Sequence, residues 1–151
     1  MVSNFIKSQM EISIYNPWMR EALGLAERAR DIGEVPVGAV VVMNDQIIGR
    51  GFNRPISKCD PSAHAEIEAL RDAAHYMGNY RLPDAKLVVT VEPCTMCAGA
   101  LIHARVEHLI FGTREPRGGA IKSTISVLEN DKLNHRVRVT EGVLTDECAA
   151  L

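Results

Sequence analysis

The chain has no run approaching the ~18 to 20 apolar residues of a membrane-spanning helix. Its opening residues, Met1-Val2-Ser3-Asn4-Phe5-Ile6-Lys7-Ser8, lack a basic start, an apolar block and a small-residue cleavage site. They do not read as a signal peptide, so a cytoplasmic location with no membrane partner is the expectation. Net charge is slight, −2 with a pI of about 6.2. That argues against non-specific nucleic-acid binding over the whole surface and leaves room for a local basic face. Cysteines are few: Cys59, Cys94, Cys97 and Cys148. An even count allows two disulfides, but a disulfide framework is disfavoured without a secretory signal. Repeats, low-complexity tracts and interdomain linkers are missing too. What remains is a chain of 151 residues, 46% hydrophobic, long enough for a single well-filled core. Residues 1–15 read as an N-terminal extension of weak character with no assigned function, and 16–151 as the folded domain.

Asn16-Pro17 predicts a helix start, with Asn as N-cap and Pro at the first helical position. Trp18, Met19, Ala22, Leu25, Ala26 and Ala29 then recur on one apolar stripe, and Gly33 ends it. Residues 35–43 and 46–53 read as a hairpin turned by Asn44-Asp45. Gly38 suggests a close approach of another segment. Asp60 or Ser62 is expected to cap a second helix with His64, Ala65 and Glu66 in its first turn, stopping at Gly78-Asn79. Strand 86–91, helix 94–105, strand 106–111, a long loop 112–124, a short turn 125–129, a strand at 137–139 or on to 143, and a last helix capped by Thr145 complete the order. Strands alternating with helices after the hairpin imply parallel pairings and helices on both faces of one sheet.

Chemistry concentrates in Thr90-Val91-Glu92-Pro93-Cys94-Thr95-Met96-Cys97 and in His64-Ala65-Glu66. C-x-x-C alone fits half a zinc ribbon, a redox pair, or part of a three-ligand site. A ribbon needs a second C-x-x-C, which is missing; a redox pair needs no His-x-Glu. Helix N-termini favour the thiolates that zinc requires. Three protein ligands, His64, Cys94 and Cys97, leave one open position, as at a catalytic zinc. Glu66 is then placed to carry protons. The alternative for Glu66, a first-turn carboxylate favoured by the helix dipole, is worth only ~0.3 to 1 kcal/mol. The full spacing His-x-Glu-x26-Pro-Cys-x-x-Cys is the specific signature of zinc nucleobase deaminases. Cys59 reads as a plain thiol and Cys148 as a buried one. His75, His103, His108 and His135 have no ligand partner in sequence, although His103 and His135 could face a groove.

The flanks extend the match. Glu34-Val35-Pro36-Val37-Gly38-Ala39-Val40, Phe52-Asn53-Arg54-Pro55, Asn79-Tyr80-Arg81-Leu82, Asn134-His135-Arg136-Val137 and Asp146-Glu147-Cys148-Ala149-Ala150-Leu151 resemble the bacterial tRNA-specific adenosine deaminases. The resemblance runs from about Trp18 to Leu151. It implies an α/β fold, a cytidine-deaminase-like three-layer α-β-α sandwich around a five-stranded mixed sheet. It implies a homodimer with one zinc per subunit, acting on the wobble adenosine of a tRNA anticodon stem-loop, typically of an arginine tRNA. Asn53 would hydrogen-bond the flipped adenosine, with the Ala65 backbone and Val35 lining the base pocket. Where the family places an aspartate near the RNA sugar, this chain has Glu115. The family's last helix normally continues beyond the position of Leu151, so it is expected to be cut short here. Segment 114–138 carries Arg114, Arg117, Lys122, Lys132, Arg136 and Arg138 against Glu115, Glu129 and Asp131, which suits phosphate contacts or an ordinary solvated surface. Two other readings compete: a deaminase of a free base or nucleoside such as guanine, and a non-catalytic zinc-stabilised RNA-binding protein, against which Glu66 argues.

Overall fold

The computed structural model describes residues 3–151; Met1 and Val2 of the N-terminal extension lie outside the described residues. The interior strand β1 (Gly38–Met43) is apolar along its whole length because both its faces are covered. Ala39 and Val41 point into one hydrophobic cluster, Val40 and Val42 into the other, and all four are fully buried. Strand β3 (Lys86–Val91) repeats this division, with Leu87 and Val89 on one side and Val88 on the other. The period-two alternation of side chains is thus intact, but neither set meets water.

The five strands lie in the order β2-β1-β3-β4-β5, with β2 at Gln46–Phe52, β4 at His108–Thr113 and β5 at Arg138–Glu141. The β1–β2 hairpin turns at Asn44 and Asp45, whose φ values of 51° and 59° are those of a primed two-residue turn. Strands β3–β4 and β4–β5 pair in parallel, as alternation with helices predicts. The β1–β3 pairing is antiparallel, which makes the sheet mixed. The helix following β2 carries the chain past β1, so β3 runs with β2 but bonds to β1.

One face is covered by α2 (Asn16–Asp31), whose Met19, Ala22 and Leu25 meet Val40, Val42, Val88 and Ile110. Gly38 is required there, since a methyl on it would sit 2.0 Å from the Ala22 carbonyl oxygen. The other face carries α4 (Ala65–Met77) and α5 (Thr95–His103), with Ala69, Ala73, Ala98 and Leu101 buried against Val41, Leu87, Leu109 and Phe111. Gly78 ends α4 in the left-handed conformation, φ 65°. A short α3 (Pro55–Lys58) follows β2, and α6 (Thr145–Ala149) closes the chain beside β4.

Three expected caps are absent, each for a local reason. A helix α1 (Asn4–Ile12) and a 3-10 turn (Ser13–Tyr15) precede α2, so the chain reaches Asn16 already helical and that side chain has no free N–H to cap. Asp60 accepts from the Ser62 N–H at 2.9 Å and hydroxyl at 2.7 Å; this turn delays the helix start, and His64 becomes its extended N-cap residue. Leu144, in the left-handed region, takes the cap position expected for Thr145, whose hydroxyl donates to the Gly112 carbonyl at 3.0 Å. Strands β4 and β5 begin at His108 and Arg138, two and one residues later than expected, because the chain first turns through Arg105 at φ 61° and is fixed by Arg138 N–H to Glu107 carbonyl.

Candidate active site

Strands β2 and β3 end on the same edge of the sheet, and each hands the chain to a helix that starts there. Cys94 is the N-cap residue of α5 with extended backbone, and Cys97 lies in its first turn. The Cys94 and Cys97 sulfurs each stand 3.6 Å from the same nitrogen, His64 Nδ1. All three donor atoms fall within 4.8 Å of one another, and they form the one such group of three among the described residues. A single imidazole lone pair cannot satisfy two thiols. A cation among the three donors satisfies all of them at once, so the arrangement is that of a metal site.

Glu66, 4% exposed, places Oε2 3.3 Å from the Cys97 sulfur. Burial pushes its carboxyl up, and its own backbone N–H, Cys97 and His64 counter only part of that. The Cys97 thiol lowers that of Cys94, and, against burial, the Cys97 and Met96 N–H groups and His64 help bring it to about 5. Cys97 is held correspondingly high, first by its partner Cys94, then by burial and by Glu66. A metal ion held by both sulfurs would take them as thiolates and displace their protons.

The group opens into a cavity of about 450 Å³. Val35, Pro36, Val37 and Asn53 form one wall, Thr113, Arg114, Glu115 and Gly118 the other, and Cys148, Ala149 and Leu151 part of the rim. Asn53 is held by the helix beneath it: its Oδ1 accepts the Ala65 N–H at 2.7 Å. Of the two ends of a carboxamide only the oxygen can accept an N–H, so this bond fixes the amide and leaves its NH2 for the cavity. Asn53 thus does the N-capping of α4 that a local side chain was expected to do. The structure gathers His64, Glu66, Cys94, Asn53 and Val35 at this one cavity, with Ala65 bonded to Asn53 and Cys97 set beside His64. Glu115 lies at the opposite wall, where its own carboxylate accepts the Arg117 N–H at 2.8 Å.

The remaining cysteines and histidines stay apart. Cys59 is exposed and Cys148 buried, where burial lifts its thiol to about 12. His135 bonds the Val106 carbonyl at 2.7 Å and does not reach the cavity. The basic segment is largely spent internally, with Arg114 forked onto Glu141, Lys122 on Glu129 and Arg138 on His108.

Three buried carboxylates escaped sequence reasoning. Glu34 accepts from the Ile56 and Ser57 N–H groups and the Ser57 hydroxyl, which together outweigh burial and lower its pKa. Glu68 receives Arg54 and Lys58 at 2.6 and 2.8 Å. Glu92 ties the far wall; burial raises it, but the Lys122 N–H, the Ser123 hydroxyl and N–H and the Glu115 N–H bring it down to about 2. Their one sequence signal was an acidic residue inside an otherwise apolar strand edge or helix face.

The model of the MafB19-like deaminase family matches residues 15–147. A tRNA-specific adenosine deaminase of Haemophilus influenzae is 51% identical over 132 residues, 87% of this chain and 76% of that protein. The chain belongs to the tRNA-specific adenosine deaminase family. A solved structure from work on A-to-I editing by tRNA:A34 deaminases at the wobble position superposes on this deaminase with a TM-score of 0.86 at 41% identity, covering 88% of this chain and 96% of the other. The guanine deaminase of Nitrosomonas europaea is more distant, 26% identical with a TM-score of 0.70 over 87% of this deaminase and 79% of that chain. The three-layer sandwich around a mixed five-stranded sheet is therefore the fold of the family.

Proposed function

We propose that this deaminase hydrolyses adenosine to inosine at the wobble position of a tRNA anticodon and releases ammonia. The observation that carries this is a buried carboxylate, Glu66, set against a three-donor metal group at the floor of a cavity rimmed by Asn53. Relatives named for this activity support the choice of substrate.

His64, Cys94 and Cys97 would hold one zinc ion. Zinc–nitrogen and zinc–sulfur bonds of about 2.0–2.1 and 2.3 Å, meeting at the tetrahedral angle, place nitrogen and sulfur about 3.6 Å apart. The observed separations are 3.6 Å to each sulfur. When bound, zinc supplies a Lewis acid that makes water nucleophilic near neutral pH. Glu66 accepts one proton of the attacking water and delivers it to a purine ring nitrogen, then takes the proton of the new hydroxyl on the base and gives it to the departing amine. Burial, which pushes its carboxyl up from the ordinary carboxylate range, favours its role as proton carrier. Asn53 presents its NH2 to acceptors on the base. Val35 and the Ala65 backbone border the base, and Glu115 keeps lone pairs for a ribose hydroxyl. An unpaired anticodon loop lowers the cost of extruding the adenosine. The same reading includes an arginine tRNA, a homodimer and a cytoplasmic setting; no helix of the described residues is long and apolar enough to cross a membrane.

The test is zinc-loaded protein incubated with an arginine-tRNA anticodon stem-loop, sequenced for inosine. Glu66→Gln is expected to lower kcat by about 10² to 10⁴ at unchanged zinc content. No inosine from the loaded wild type would refute the reading. Ammonia from free guanine instead would transfer the chain's activity to the free-base class.

A further inference from the structure

Glu92 stands between the end of β3 and Pro93-Cys94, and only 3% of it is exposed. Its carboxylate accepts the N–H groups of Glu115 at 3.1 Å, Ile121 at 3.0 Å, Lys122 at 2.7 Å and Ser123 at 3.0 Å, and also the Ser123 hydroxyl. An ionised carboxylate offers about four lone-pair sites, so five donors exhaust it. Although Glu92 borders the cavity, it has no acceptor capacity left for a substrate. Two backbone bonds reinforce the tie: Glu92 N–H to the Thr113 carbonyl at 2.9 Å, and Ala120 N–H to the Pro93 carbonyl at 2.8 Å. The loop comes so near that a methyl on Gly119 would lie 2.4 Å from the Glu92 carboxyl carbon.

The tethered segment includes Glu115 and Gly118, which form the cavity wall facing Asn53. We propose that Glu92 is a positioning residue: its carboxylate fixes segment 115–123 as the substrate-side wall and so sets affinity for the nucleoside and its flanking strand, while Glu66 and the metal donors set the chemical step. This rests on the deamination reading above.

A glutamine at position 92 has one acceptor oxygen and one NH2. The three N–H groups of Ile121, Lys122 and Ser123 converge on Oε2 and claim the oxygen. The NH2 then faces the Ser123 hydroxyl, which can rotate to accept, and the Glu115 N–H, which cannot. Glu92→Gln therefore detaches the Glu115 end in particular. Gly119→Ala displaces the same loop without altering the carboxylate.

The experiment is steady-state deamination of an anticodon stem-loop by metal-loaded wild type, Glu92→Gln and Gly119→Ala, with metal content measured and amide hydrogen exchange followed by residue. The expected result is a roughly tenfold rise in KM for both variants, as one unsatisfied buried N–H implies, with kcat within about twofold and metal content unchanged. Exchange quickens at 115 and 119–123 but not in α4 or α5. A fall in kcat at unchanged KM, or loss of metal in both variants, would overturn the proposal. Should the wild type itself be inert toward RNA, the proposed function fails separately, and stem-loop Kd replaces KM: about tenfold weakening supports the Glu92 role and equal affinity overturns it.

Discussion

His108 allows a direct measurement of what burying a histidine costs this fold. The imidazole is 1% exposed at the start of β4. The Arg138 guanidinium donates to Nδ1 at 3.1 Å, so that nitrogen carries the lone pair and Nε2 carries the proton, donated to the Thr140 hydroxyl at 2.7 Å. Tyr15 packs edge-on at 5.6 Å. Burial, then the charges of Arg138 and Lys86, bring the pKa down from 6.5 to about 4. Between those values the unfolded chain binds a proton that the folded chain refuses, so stability is full above pH 6.5 and falls as the pH drops through the window. Going from pH 7.5 to 5.0 gives about 2 kcal/mol by linkage. Screening beside the edge strand β5 reduces this to roughly 1–2 kcal/mol. Urea unfolding at both pH values, for wild type and His108→Gln, isolates the term, because every other titratable group is common to both proteins. The wild type should lose about 1–2 kcal/mol more than the variant. Equal losses would refute the reasoning, as would an imidazole titrating near 6.5 in the folded protein by NMR.

Gly38→Ala places a methyl 2.0 Å from the Ala22 carbonyl and must push α2 off the sheet; a loss of about 1–3 kcal/mol or more is expected, read as a lower thermal midpoint. Asn53→Ala strands the Ala65 N–H, costing about 1–2 kcal/mol by urea unfolding, and also raises KM. Asn53→Asp keeps the oxygen that caps α4 but removes the NH2, so it should raise KM while leaving stability within about 0.5 kcal/mol. A KM unchanged in both Asn53 variants would remove Asn53 from substrate binding.

The metal group was legible because its signal is local: His64 to Glu66 and Cys94 to Cys97 are fixed spacings, and the helix starts that join them follow from nearby turns and Pro93. Strands β1 and β3 were legible from their continuous apolar runs, and the hairpin turn from Asn44-Asp45. The antiparallel β1–β3 neighbour was not, since pairing depends on where a crossover lands and not on either strand's composition. The loop anchors were hidden for a related reason. Glu34 finds Ser57 and Glu92 finds Ser123, partners 23 and 31 residues away, and no periodicity marks a carboxylate whose ligands are backbone N–H groups. Thr145 and Asn16 misled because capping preferences assume a chain arriving extended, whereas here α2 is entered through a helical turn and Leu144 supplies the bend before α6.

Strand β3, which delivers Cys94, is the middle strand of five, with two neighbours on either side. Fraying at either outer strand leaves it fully paired, so the two cysteine donors stay in place until the central unit opens, whereas His64 follows the outer strand β2. Whatever ion occupies the site adds its binding free energy to the stability of the whole sheet.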